Sequence, residues 1–195
     1  MGHDEFILHP GLIQDLEAAF RRNEWSREMV KHLTTGTTLE QFADVLGGYA
    51  EINAIPQLID CSADPRIPPD IDINGLELEE HRRTGVLVWH PEAVTLYLSE
   101  RQKGGGCIDG DPIREELRDK PVLNINVLDF LLAHQRLIPK AWRGKLICFW
   151  GTVYSRQNVI FIPALSYEHG KWVALLLNPV DNFWNEKAPA VMLKV

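Results

Sequence analysis

The chain has 195 residues, 45% apolar and 24% charged, a balance that fits a globular fold and argues against disorder. A chain of this length can bury roughly 70% of its unfolded surface, so a core needs neither disulfides nor structural metals. Twenty-seven acidic against 20 basic residues give a formal charge of −7, which disfavours nucleic acid as the main ligand.

The first 50 residues predict helices. Leu12, Ile13, Leu16 and Phe20 share one helical face behind Pro10, and Ser26 is placed to cap a second helix carrying Met29, Val30 and Leu33. A third has Thr37 and Glu40 as a capping box, an apolar stripe of Leu39, Phe42, Ala43 and Leu46, and Gly47-Gly48 as its stop. The N-terminal MGHDEFILHPGL has no basic n-region or long apolar run, and no stretch is long and apolar enough for a membrane span. Three widely spaced cysteines, Cys61, Cys107 and Cys148, form no C-x-x-C. The expectation is a soluble cytoplasmic protein with reduced thiols.

Prolines and aspartates from Asp60 to Gly75 predict extended or turning backbone, followed by a short helix at Leu76 to Arg82. Val86 to Trp89 and Val94 to Ser99 read as the two strands of a hairpin turned at His90-Pro91-Glu92. Gly104-Gly105-Gly106 predicts an exposed loop, and Asp111-Pro112 opens a charged helix through Leu117. Asn126 is read as the cap of a helix bearing Val127, Leu128, Leu131 and Leu132. The last third predicts a three-strand antiparallel meander, Leu146 to Tyr154, Val159 to Tyr167 and Lys171 to Leu177. In its first strand Leu146, Cys148, Trp150 and Tyr154 would share one face, and Ile147, Phe149 and Val153 the other. Both faces are apolar, so both need covering, by other segments of the chain or by another chain.

Several constellations point to chemistry and fall short of it. Asp70, Asp72, Asn74 and Gly75 match half of a calcium loop, but position twelve is His81 rather than a bidentate Glu. Cys61, Asp64, His81 and His90 lack a ligand spacing with a geometric rationale. The glycine run before Cys107 is not followed by Lys-Ser/Thr, and no G-x-S-x-G occurs. Asp109 and Asp111 with Glu115 and Glu116 suit an acidic helix start.

His81-Arg82-Arg83-x-Gly85, Val122-Leu123-Asn124 with Val127-Leu128-Asp129-Phe130-Leu131-Leu132-Ala133-His134, and Leu137-Ile138-Pro139 with Trp142, Gly144-Lys145 and Phe149-Trp150-Gly151-Thr152-x-Tyr154 are distinctive blocks. With the LIDCSADPRIP segment they resemble a family of uncharacterised bacterial proteins, over most of the chain from Trp25 onward. The resemblance implies no activity and carries no catalytic residue onto this chain.

The expected fold is α+β in a single domain over 1–195. Its expected sub-structure is a helical segment (1–59), a loop-rich middle with a short hairpin (60–120) and a C-terminal sheet unit packed by a helix (121–195). The expected function is a non-catalytic protein-interaction module without cofactor or metal. It would bind a protein partner or a second copy through the C-terminal sheet, with Trp150, Tyr154, Tyr167 and Trp172 as the binding candidates. The alternative is a metal-assisted hydrolase or nuclease built on Asp64, His81 and Asp109.

Overall fold

The described chain begins with helices alone, and strands first appear at Gln57. The structure, a computed structural model, describes residues 9–51, 56–65, 75–178 and 184–194, and it divides into two units, Met1–Ile55 and Pro56–Val195. The half calcium motif at Asp70 to Asn74 lies outside the described residues.

The first unit holds α1 (Pro10–Arg22), α2 (Arg27–Leu33) and α3 (Thr38–Leu46). Ser26 caps α2 as expected, its hydroxyl accepting from the Met29 N–H at 3.1 Å. Thr37 makes no such bond, because its backbone (φ −97°, ψ 11°) is not in the extended conformation that aims a capping side chain at the helix. None of the three helices has a buried residue, and Leu39, Leu46 and Tyr49 are exposed.

The second unit is mixed α+β. Strand β1 (Gln57–Asp60) pairs antiparallel with β3 (Val86–Trp89). The remaining strands are β2 (Glu77–His81), β4 (Val94–Tyr97), β5 (Ile147–Cys148), β6 (Thr152–Arg156), β7 (Val159–Glu168), β8 (Lys171–Leu177) and β9 (Ala190–Leu193). They build a seven-stranded sheet in the order β2-β6-β7-β5-β9-β4, with β8 on the other edge of β7. Helices α4 (Gly110–Glu116) and α5 (Ile125–Ala133) complete the unit.

Three sequence expectations are corrected here. The segment after Gly75 is strand β2 rather than a helix, because its backbone pairs with β6 from Glu77↔Ser155 to His81↔Thr152. The short hairpin does not form. A 3-10 turn at Pro91–Ala93 redirects the chain, so β3 pairs with β1 and β4 with β9. Asn124 rather than Asn126 caps α5, accepting from the Asn126 N–H. Gly104 and Gly105 are exposed, and the turn before them is capped by Ser99, kinked at Lys103 and Gly104, and pinned by buried Gln102, whose side chain bonds Ser99 N and the carbonyls of Asn185 and Ala188.

The three-strand meander is also corrected. It is not a unit of its own but the middle of the larger sheet, and its first strand is broken. Ile147 faces Leu165 while Tyr154 faces Phe161, so one strand advances seven residues while β7 advances four. The surplus is a bulge at Phe149-Trp150-Gly151, which inverts the alternation. Tyr154 therefore joins Ile147 and Phe149 on one face, and Val153 joins Cys148 and Trp150 on the other.

Each face carries its own core. On one side α5 residues Ile125, Leu128 and Leu131 pack with Phe149, Tyr154 and Trp172. On the other, α4 residues Ile113 and Leu117 pack with Trp150, Ile162 and Trp184. The two-sided apolarity of the strands is thus matched by two layers that the chain itself supplies.

Gly151 fixes where the bulge sits. A Cβ there would lie 2.8 Å from the carbonyl carbon and oxygen of Leu123 and 2.9 Å from Asn124 N, all backbone atoms that cannot yield as a side-chain tip can. Gly151→Ala is expected to cost about 1–3 kcal/mol of stability as overpacking against backbone. The midpoint of urea unfolding measures the loss, and an unchanged midpoint would show that the contact relaxes freely.

Candidate functional site

The β1 strand ends in a loop, Asp60 to Asp64, whose backbone acceptors are taken up by side chains from two other segments, His81 to Arg83 and Asn124 to Asn126. The Asp60 carbonyl accepts from Asn126 Nδ2 at 3.0 Å, and that of Cys61 from Asn124 Nδ2 at 2.8 Å. The Ser62 carbonyl accepts from Arg83 Nη1. The Ala63 carbonyl accepts from Asn126 Nδ2 at 3.0 Å and from His81 Nε2 at 3.2 Å. Four consecutive carbonyls are thus held by residues of the HRRxG and LNxN blocks. The second Asn124 N–H reaches the Arg82 carbonyl at 2.9 Å, and Ser62 Oγ accepts from Gly85 N at 2.8 Å.

Thr152, of the FWGT block, closes the network from below. Its hydroxyl oxygen accepts from Ile125 N–H at 3.0 Å and lies 2.9 Å from His81 Nδ1. Since Ala63 O accepts only, His81 Nε2 carries a ring proton, and in the neutral ring Nδ1 accepts the Thr152 hydroxyl proton. Burial lowers the His81 pKa from its ordinary 6.5; the nearby Arg83 charge lowers it too, while the Ala63 hydrogen bond and Asp64 oppose this. Asp64 is held below the usual carboxylate range by Arg83, which donates to it and pairs with it at 2.6 Å. Burial raises the Cys61 thiol pKa and pushes Tyr154 to about 12, so neither ionises near neutral pH.

Beside this loop lies a cleft of about 320 Å³ lined by Leu58, Asp60, Ala63, Asn126, Phe130 and His134. The Phe130 and His134 rings meet at 4.5 Å. Among the described residues no group of three His, Cys, Asp or Glu side chains is placed to hold a metal ion.

The structure brings some sequence candidates together and keeps others apart. Asp64 and His81 are neighbours across Arg83. Asp109 belongs elsewhere, exposed at the N-cap of α4. Trp150 packs on Trp184 at 5.2 Å in the α4-side core, while Tyr154 and Trp172 lie in the α5-side core. Trp150 is 1% exposed, Tyr154 2% and Trp172 6%, so of the four aromatic candidates half-buried Tyr167 is the most accessible. Tyr167 meets Trp172 at 5.1 Å and carries the Arg143 guanidinium 4.5 Å above its ring.

These last residues border β8, which hydrogen-bonds to β7 alone among the described strands. The two-residue turn at His169-Gly170 (φ 50° and 86°) makes Glu168↔Lys171 the first pair of the ladder. Alternation then aims the backbone groups of Lys171, Val173, Leu175 and Leu177 at β7, and those of Trp172, Ala174 and Leu176 outward. Consistently, Trp172 N donates outward to Gln135 Oε1 at 3.4 Å, and Trp172 O accepts from Gln135 Nε2 at 3.5 Å.

Sequence reasoning passed over Asn124, Asn126, Thr152, Arg83 and Gln135. A usable signal existed for Asn124 and Thr152, which are polar residues inside otherwise apolar runs and are buried here at 2% and 0% exposure. Comparison with known proteins adds no assignment: no family model, no curated protein and no solved structure matches the chain.

Two outcomes follow from the network. Thr152→Val keeps the volume but removes the partner of Ile125 N–H and His81 Nδ1, and should cost about 1–3 kcal/mol in urea unfolding. For pH, the unfolded histidine binds its proton near 6.5 and the folded one only below that. The stability that neutral His81 contributes is therefore full above pH 6.5 and is lost as pH falls from there through the folded pKa. Unfolding midpoints from pH 7.5 to 5 should fall more steeply for the wild type than for His81→Gln, which has no proton to gain. Parallel profiles would remove His81 as the source.

Proposed function

We propose that this protein is a protein-interaction module that self-associates by pairing β8 with the β8 of a second copy. The observation that supports this reading is an outer edge of β8 whose Ala174 and Leu176 backbone groups point away from β7, in a run of six apolar residues from Trp172 to Leu177. Edge strands are ordinarily guarded by charge, proline or shortness. Between Lys171 and Asn178 this strand has none of those devices, which suits an edge that is used.

The strand also complements itself. Antiparallel pairing about a two-fold axis at Ala174 sets Trp172 opposite Leu176, and the small Ala174 side chain opposite its own copy. An aromatic residue across from an aliphatic one is a favoured cross-strand pair. No like charges face each other, since Lys171 falls opposite Leu177. The two faces of β8 belong to the two cores, with Trp172, Ala174 and Leu176 in one and Leu175 and Leu177 in the other. Pairing would therefore extend both apolar layers as well as the hydrogen-bond ladder, the mode of β-strand addition.

Ala174→Pro tests this with little damage to the fold. The Ala174 N–H points outward, so proline removes a donor to the partner strand and none to β7. Native mass spectrometry of the wild type should give a multiple of the monomer mass, and Ala174→Pro should give the monomer. A wild-type protein that stays monomeric at its highest soluble concentration would sink the reading.

A further inference from the structure

A primary carboxamide lies in hydrogen-bond reach of the outer edge of β8, and it sits where a partner strand would. Gln135 belongs to the 3-10 turn Gln135–Leu137 that follows α5, and this turn is fixed by bonds from His134 N to Phe130 O and from Leu137 N to His134 O. Its Oε1 accepts the Trp172 N–H and its Nε2 donates to the Trp172 carbonyl, so it satisfies both outward groups of a single residue. A carboxamide presents a donor and an acceptor side by side, much as one residue of a neighbouring strand does in a hydrogen-bonded antiparallel pair. At 3.4 and 3.5 Å both contacts are long, at the weak end of the hydrogen-bond range. Gln135 itself is exposed, so its side chain is free to leave for water.

We infer that Gln135 is a displaceable guard of the β8 edge, occupying the Trp172 position of the ladder in the free chain and giving it up to the incoming β8 of a second copy. This deepens the self-association reading and rests on it. With Gln135 seated, the outward groups of Ala174 and Leu176 remain, and the two-fold register loses the Trp172↔Leu176 pair at both ends. With Gln135 displaced, the outward groups of all three residues enter the ladder. The guard thus sets a threshold. It lowers the affinity of an edge whose side chains are otherwise apolar, and it supplies a substitute partner to the Trp172 backbone in the monomer, the role that charge or proline plays in other edge strands.

The test is sedimentation equilibrium of the full chain in four forms: wild type, Gln135→Ala, Ala174→Pro and the double variant. Far-ultraviolet circular dichroism and a melting curve accompany each form to show that the fold persists. Removing an exposed competitor should tighten the dimer, because water replaces two long hydrogen bonds per protomer that association would otherwise have to break. The expected decrease in dissociation constant is roughly tenfold or more. The double variant should be monomeric, which ties the gain to the β8 edge. If the wild type associates and Ala174→Pro does not, but Gln135→Ala leaves the constant unchanged or weaker, the guard is overturned and self-association through β8 stands. If no form associates, both fall together.

Discussion

Gly151 lies directly against the backbone of Leu123 and Asn124, and much of the architecture depends on that contact. No side chain fits at residue 151, so the strand from Ile147 to Arg156 can lie directly against the segment that leads into α5. Gly151 N donates to Leu123 O at 3.0 Å, and Gly151 O accepts from Arg82 N at 2.8 Å. One glycine therefore joins the broken strand, the N-terminus of α5 and the end of β2. The bulge that Gly151 permits also sends Trp150 into one core and Tyr154 into the other, and it positions Thr152 beneath His81. A β-carbon would push these three segments apart together.

Around that contact the chain has gathered side chains that bind backbone. Asn124, Asn126, His81, Arg83 and Thr152 hold backbone groups, mainly the carbonyls of the Asp60–Asp64 loop. Buried backbone groups left alone are costly, and the Cys61 carbonyl and Ile125 N–H are supplied by Asn124 and Thr152. His81 and Thr152, a pair that could look catalytic in isolation, are here engaged in holding a loop and the start of α5. Some buried donors find no such acceptor: the indole N–H groups of Trp150 and Trp184 and the Tyr154 hydroxyl are without protein partners among the described residues. The aromatic pair pays for this with the area it buries.

The edge of β8 contrasts with the hydrogen-bonded Asp60–Asp64 loop. The strand's side chains are shared between the two cores, which accounts for its uninterrupted apolar run. That same run leaves nothing charged to protect its outer backbone. A sheet covered on both faces has no need of polar side chains along an edge strand, so protection must come from outside the strand, and Gln135 is the group in position to provide it.

Much of the secondary structure was legible from local chemistry. The Ser26 cap, the α5 apolar face, the turns at Gln157-Asn158 and His169-Gly170, and the strands β7 and β8 follow from propensities and periods that act within a few residues. The sequence by itself also determined that the sheet must be covered on both faces, since neither face of its strands is polar. What it could not determine was which segments meet. Glu77 to His81 resembles a helix until β6 offers it a ladder, and Val86–Trp89 resembles half a hairpin until Gln57–Asp60 pairs with it instead. The alternation of Leu146 to Tyr154 was readable only until the bulge at Gly151 reversed it, and that bulge exists because Leu123 lies there. Pairing, register and burial are set by contacts between residues distant along the chain. Their energies appear only once the backbone has closed, so the polar loop network and the contact of Gln135 with the edge of β8 belong to the tertiary structure alone.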